Sequence, residues 1–235
     1  MGVVHVNGLG LQELIVPHEQ VGTGDEAHAK LTRAARVRWS SEQILAQGGV
    51  VSVNHPNRWG ALDHTDLRDA FDGGLLEIAN MSPEAARSNP GDLFRPSTEA
   101  LWDRLLSLGR PVWAVASDDA HHFRSWGPHR CNPGRGWIMV EGTEPRLERC
   151  LAALRAGRFY ASTGLELADY CARGREIAVE LASGPACLEL IGPDGRLLDQ
   201  AEGSSARFRL DAAPYARIRA TAAAGARLWT QPHYA

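Results

Sequence analysis

The sequence predicts an α/β fold followed by a smaller antiparallel β-rich module, and three observations predict it. Between residues 40 and 157, apolar strand-like runs alternate with helix-like segments, the pattern of repeated βα units on a parallel sheet or barrel with right-handed crossovers. Two of those runs, over 50–53 and 111–116, end abruptly in histidines and carboxylates, and parallel α/β folds gather their ligands at the carboxyl ends of strands. After about Gly174 the runs become short and are separated by Gly, Pro, Asp and Ser, the spacing of a small antiparallel sheet or half-sandwich. The chain therefore divides into residues 1–173 and 174–235.

Each element has a local reason. Ser40-Ser41-Glu42-Gln43 supplies capping residues ahead of Ile44-Leu45-Ala46-Gln47, and Gly48-Gly49 stops that helix before a strand over 50–54. Residues 63–71 read as the next helix, with Leu62, Leu67, Ala70 and Phe71 on one face, and a strand over 75–79 follows. A Pro- and Asn-rich loop, 81–96, leads to an amphipathic helix in which Leu101, Leu105 and Leu108 recur at helical spacing. Gly109 ends it, and a strand over 111–115 begins. A long loop rich in Gly, Pro and Arg then precedes a strand over 137–140 and a helix over 146–156. In the C-terminal part, strands are predicted over 177–181, 186–191, 206–210, 216–221 and 226–229, with Pro193-Asp194-Gly195 as a hairpin turn. No His-rich or charged constellation occurs there, so that part reads as structural, or as a docking and substrate-lid module.

A chain of 235 residues, 44% hydrophobic, can bury a full-sized core. Its net charge of −3 and lack of a Lys/Arg cluster argue against polymeric nucleic acid as a partner. The four cysteines, Cys131, Cys150, Cys171 and Cys187, form no CxxC pair, so free thiols in a reducing cytoplasm are expected. No apolar run reaches membrane-spanning length, and the first residues lack a basic segment followed by an apolar core; no membrane partner is expected.

The chemistry concentrates at three places. His55 follows an apolar run and precedes Pro56, which blocks further strand pairing and fixes the turn that presents the imidazole. In Val115-Ala116-Ser117-Asp118-Asp119-Ala120-His121-His122, Asp119 and His121 stand two apart, on one face of a strand end. Asp118 then points elsewhere and is expected to bond backbone or a ligand imidazole from behind the ligands. His5 follows Val3-Val4 in what reads as a third strand end. The alternatives are a hydrogen-bonded structural histidine at position 55 and a solvated polar turn at 118–122. Mixed His and carboxylate ligands suit Zn²⁺, Mn²⁺ or Fe²⁺ better than Mg²⁺, and such an ion makes hydroxide available near neutral pH. Arg58 is either a clamp for a substrate phosphate oxygen or an ordinary surface arginine. His122, with His64 and His129, is placed near substrate, whereas His18, His28 and His233 read as surface residues. There is no Gly-x-Ser-x-Gly elbow, Walker loop or His-Glu-x-x-His helix.

Gly48-Gly49-Val50-Val51-Ser52-Val53-Asn54-His55-Pro56-Asn57, Leu76-Glu77-Ile78-Ala79-Asn80 and Ala116-Ser117-Asp118-Asp119-Ala120-His121-His122 resemble the later motifs of the PHP (polymerase and histidinol phosphatase) superfamily. Gly157-Arg158-Phe159-Tyr160-Ala161-Ser162-Thr163-Gly164 and Leu228-Trp229-Thr230-Gln231-Pro232 look like the branch that includes a carbaryl hydrolase, whose members carry a β-rich tail. The resemblance implies a distorted (β/α)₇, TIM-like barrel, phosphoester hydrolysis and up to three divalent metal ions, commonly Zn, Mn or Fe. It assigns metal ligation to His5, His55, Asp119 and His121, substrate contact to Arg58 and His122, and a supporting role to Asp118.

The family's opening His-x-His motif, the Asp/His motif after it and a bridging glutamate are not found here. The resemblance therefore implies an incomplete, N-terminally truncated barrel over 1–173 with fewer or weakly held metals. Open strand edges would invite a second copy to pair, so a homo-oligomer is among the expected partners. Two functions are expected: a metal-dependent phosphoesterase-type hydrolase using metal-activated water on a small phosphorylated or ester metabolite, or a non-catalytic PHP-like remnant acting in binding or assembly. A metal-binding module without hydrolysis is a third reading.

Overall fold

A computed structural model describes residues 4–16, 31–58, 61–71, 73–83, 96–142 and 144–235. Among them are fourteen β-strands and four α-helices of more than one turn. The first layer is a four-stranded sheet in the order β1 (Val6–Leu9), β2 (Val50–Val53), β3 (Gly74–Asn80), β4 (Val112–Ser117). Strands β2, β3 and β4 are parallel, and β1 runs antiparallel to β2. Helices α2 (His64–Arg68) and α3 (Thr98–Ser107) supply the crossovers between the parallel strands, and with α1 (Arg33–Ala46) they bury Val37, Ile44, Leu67, Leu101, Trp102 and Leu105 in one core with Val51, Val53, Leu76 and Ala114.

The remaining strands, apart from one three-stranded sheet, build a seven-stranded antiparallel sheet. Its order is β10 (Leu197–Gly203), β9 (Ala186–Ile191), β12 (Tyr215–Thr221), β13 (Arg227–Thr230), β6 (Phe159–Ser162), β5 (Trp137–Val140), with β14 (His233–Tyr234) added to β12. The helix α4 (Leu147–Arg155) joins β5 to β6. The three-stranded sheet, β11 (Ser205–Arg209), β8 (Glu176–Leu181), β7 (Leu167–Arg173), packs its Ile177, Val179 and Phe208 on Leu188, Leu190, Ile218 and Leu228 of the larger sheet.

The centre of the seven-stranded sheet is thus a middle layer, covered on both faces, and β12 records this in its alternation. Ala216, Ile218 and Ala220 enter the sandwich core, while Tyr215, Arg217 and Arg219 point to α3. Arg217 is fully buried, donates two hydrogen bonds of 2.8 Å to Asp103 and one of 2.8 Å to Glu99, and lies 4.6 Å from the Trp102 ring centroid. Arg219 extends the cluster to Glu99 and, through two bonds of 2.6 and 2.8 Å, to Glu189. Burial alone would push the Glu99 carboxyl up, yet the Arg217 and Arg219 guanidiniums hold it below the usual carboxylate range. Nearby, the Gln231 amide takes the Ala114 N–H at 2.8 Å and donates to the Ala114 carbonyl at 2.9 Å, closing the edge of β4 with a side chain in place of a strand.

The expected incomplete (β/α)₇, TIM-like barrel does not form: the fold is mostly β, and no sheet closes on itself among the described residues. Among the described residues only three strands are parallel. The strand expected to continue the barrel, β5, instead pairs antiparallel with β6 across a short helical connection and joins the sheet of the C-terminal half. The β-rich part is not a small appendage either, because β5, β6 and β7 belong to its two sheets. Two local readings also change. Ser40 and Ser41 lie inside α1, whose N-cap is Thr32, and the Ser41 hydroxyl donates back to the Val37 carbonyl. His5 does not end a strand: it precedes β1, while Val3, most of the predicted loop 81–96, His18 and His28 lie outside the described residues. No helix among the described residues is long and apolar enough to cross a membrane.

The buried ion cluster makes a quantitative expectation. Removing one partner strands the other charges in the interior, so Arg217→Ala should lower stability by about 3–5 kcal/mol in urea denaturation. A loss under about 1 kcal/mol would mean that the α3–β12 interface does not depend on it. Gln231→Ala leaves a buried N–H and carbonyl of Ala114 unpaired and should cost about 1–3 kcal/mol for each group left so.

Candidate functional site at the strand ends

The carboxyl ends of β2, β3 and β4 point to one pole, and β1, running the other way, brings its beginning there. His5 and His55 therefore meet although one precedes a strand and the other follows one. The Asn54 N–H bonds the His5 carbonyl at 3.0 Å, and His5 Nδ1 lies 2.9 Å from His55 Nε2 with the rings tilted by 53°. One of these nitrogens carries the proton and the other the lone pair.

Glu77 fixes the pole from beneath. It is 2% exposed within β3. Its Oε2 accepts the His55 N–H at 2.5 Å and the Asn80 Nδ2–H at 3.0 Å, and its Oε1 accepts the Ser117 hydroxyl. One carboxylate thus ties the ends of all three parallel strands. The chain turns sharply on both sides of it: His55 has φ of 30° and Asp119 φ of 47°, and the only other non-glycine residue in this region among those described is Asp194, in a hairpin turn. Such backbone costs on the order of 1–3 kcal/mol at each residue and persists where surrounding contacts impose it.

Beyond β4, Asp119 lies 3.9 Å from Arg58 Nη1 and 3.8 Å from His121 Nε2. His121 Nδ1–H donates to the Asp119 carbonyl at 2.5 Å, which leaves Nε2 toward the carboxylate. Asp118 faces away and accepts the backbone N–H groups of Gly134, Arg135 and Gly136 at 2.7, 2.6 and 2.8 Å. His122 is drawn into the same loop, its Nδ1 accepting the Cys131 N–H at 3.2 Å. The buried Asn132 amide, bonded to the His122 and Ser125 carbonyls, completes that scaffold.

The chain matches no protein-family model, no curated protein and no solved structure.

The site is therefore judged on its own geometry. His5 is paired with His55, and Asp119 with Arg58 and His121, while Asp118 and His122 organise the loop behind them. Among the described residues no three His, Cys, Asp or Glu side chains are gathered into a ready-made ion site. The donor chemistry, two imidazoles and a carboxylate, still suits Zn²⁺, Mn²⁺ or Fe²⁺. Glu77 was not singled out by sequence reasoning. Its signal was a lone carboxylate inside the apolar run Leu75-Leu76-Glu77-Ile78-Ala79, which a buried strand tolerates only with partners.

Burial lowers the His55 pKa below its ordinary value, with a smaller contribution from His5 that Glu77 and Asp119 oppose. Near pH 6.5 the unfolded chain consequently binds more protons than the folded one at this group, so its stability contribution is intact above about pH 6.5 and is lost as pH falls below it. NMR titration of the His55 ring should give a midpoint below about 6.5, with the fold weakening over the same acid range. A midpoint at or above that value would contradict the proposed burial of this imidazole.

Proposed function

We propose that the strand-end pole is the site of a PHP-like, metal-dependent hydrolase of the phosphoesterase type, acting on a small phosphorylated or ester metabolite. The observation that carries this reading is the convergence of His5, His55 and Asp119 at the carboxyl ends of parallel strands, with both His55 and Asp119 in strained backbone. In this reading His5 and His55, together with Asp119, would hold the ion. A bound ion would supply water of lowered pKa and polarise the oxygen under attack.

The chain's own residues do the rest. The neutral state of His55, favoured by burial, leaves a ring nitrogen able to ligate. Glu77 holds the His55 backbone so that the ring faces His5. Arg58, set beside Asp119 by the 55–58 turn, orients that carboxylate and offers a guanidinium to an anionic substrate oxygen. His121 Nε2, poised at 3.8 Å from Asp119, can hold a proton next to the leaving group. A cytoplasmic setting belongs to this reading and is supported by four unpaired thiols. The alternative, a non-catalytic PHP-like cleft that binds without turnover, is favoured by the direct His5–His55 hydrogen bond, which occupies one nitrogen of each ring.

Protein purified without chelator should carry at least about one equivalent of Zn, Mn or Fe and hydrolyse p-nitrophenyl phosphate or p-nitrophenyl acetate. His55→Ala and Asp119→Ala should lose the metal and reduce turnover by more than the about 10–100-fold that loss of a supporting partner costs. Metal without turnover would favour the binding cleft. No metal, with variants indistinguishable from the parent, would overturn both.

A further inference from the structure

A cavity of about 570 Å³ opens where β6 and β7 part company to join different sheets. It shares no residue with the strand-end pole. Gly136, ahead of β5, packs on the Ser117 carbonyl at the end of β4, whereas Gly157, at the cavity, packs on Trp113 near its beginning. The two sites therefore face opposite ends of β4, about 13 Å apart along the strand at about 3.3 Å per residue. The volume falls within the range of about 300–1,000 Å³ typical of small-molecule sites.

The walls are flat and fixed. Tyr160 comes from the seven-stranded sheet and Tyr170 from the three-stranded one. The Tyr160 hydroxyl accepts the Leu167 N–H at 3.2 Å, and the Tyr170 hydroxyl lies against Thr230, so both rings are anchored by their polar ends. Met139, paired across the strands with Tyr160, adds a thioether, a surface that favours an aromatic guest. Gln231, at the inner end, is committed to Ala114 and offers the guest no amide.

Charge at the mouth is asymmetric. Arg158 is half-exposed there, and its described partner, Glu141, stands 3.9 Å away, beyond hydrogen-bonding distance and itself exposed. Such a pair contributes little and is readily exchanged. His233 donates Nε2–H to the Gly174 carbonyl at 2.7 Å, which fixes its ring at the opposite rim.

We propose that this cavity binds a small aromatic carboxylate, its ring between Tyr160 and Tyr170 and its anionic head on Arg158. The site is independent of the strand-end chemistry and is tested on chelator-treated protein, so the two readings stand or fall separately. The probe is 4-phenylbutanoate, titrated by calorimetry beside its neutral amide. The carboxylate should saturate one site and bind at least about 10-fold more tightly than the amide, the ratio that one charge-assisted hydrogen bond supports. Arg158→Gln should remove that preference, and Glu141→Gln should tighten the carboxylate by clearing the competing anion. Met139→Trp, on the exposed rim, should block both probes while leaving the circular dichroism spectrum unchanged. No saturable binding at millimolar probe, equal affinity for acid and amide, or affinities unmoved by Arg158→Gln and Met139→Trp would overturn the proposal.

Discussion

The constraint on which the functional pole depends is the burial of a carboxylate, Glu77, in the middle of an apolar strand. A charge taken out of water has to be met by donors, and the donors available are the His55 backbone, the Asn80 amide and the Ser117 hydroxyl, one from the end of each parallel strand. Satisfying Glu77 therefore fixes where β2 and β4 stop and how the chain leaves them. The sharp turns at His55 and Asp119 follow from that fixing, and with them the placement of an imidazole and a carboxylate on one surface. Asp118 repeats the device one residue earlier in the loop. By gathering three backbone N–H groups it holds residues 134–136 against the end of β4 and leaves Asp119 to face Arg58 and His121.

A second buried ionic arrangement settles how the layers meet. The seven-stranded sheet could have left one face to solvent, as antiparallel sheets commonly do. Arg217 and Arg219 instead project from that face into the carboxylates of α3, and Gln231 substitutes for a strand at the edge of β4. A polar lock between layers tolerates fewer alternative packings than an apolar contact, because each misaligned geometry leaves charges unpaired. The cavity near Tyr160 and Tyr170 is a consequence of the same arrangement. With β6 held in the middle layer, β7 diverges to begin the outer sheet, and the gap between them is lined in part by Tyr160, Leu167, Tyr170 and Ala172, which pack partly buried against the sandwich core.

What the sequence disclosed and what it hid divide along physical lines. The strands β2, β3, β4 and β5 were legible because a short apolar run bounded by Gly, Pro or Asn is a local signal. The sudden change from Val115-Ala116 to Asp118-Asp119 marked a strand end for the same reason. Partner and direction leave no such trace. Nothing in Trp137-Ile138-Met139-Val140 distinguishes a parallel barrel strand from an antiparallel neighbour of β6, and nothing near His5 announces that the histidine precedes a strand and does not end one. Ser40 and Ser41 looked like caps because serine usually caps, but the helix-forming residues of Arg33-Ala34-Ala35-Arg36 carry α1 back to Thr32. The alternation of Arg217 and Arg219 with Ile218 and Ala220 could equally have marked an exposed strand face; only the acidic side chains of α3, distant in sequence, turn it into a buried lock.

The central claim is that His5, His55 and Asp119 form one ion-holding pole. Its most direct test is anomalous diffraction at the manganese edge from crystals grown with Mn²⁺. The account predicts an anomalous peak ligated by His5 Nδ1, His55 Nε2 and the Asp119 carboxylate, with the direct contact between the two imidazoles opened. A crystal that shows manganese at other sites, while His5 and His55 remain hydrogen-bonded to each other, would contradict it.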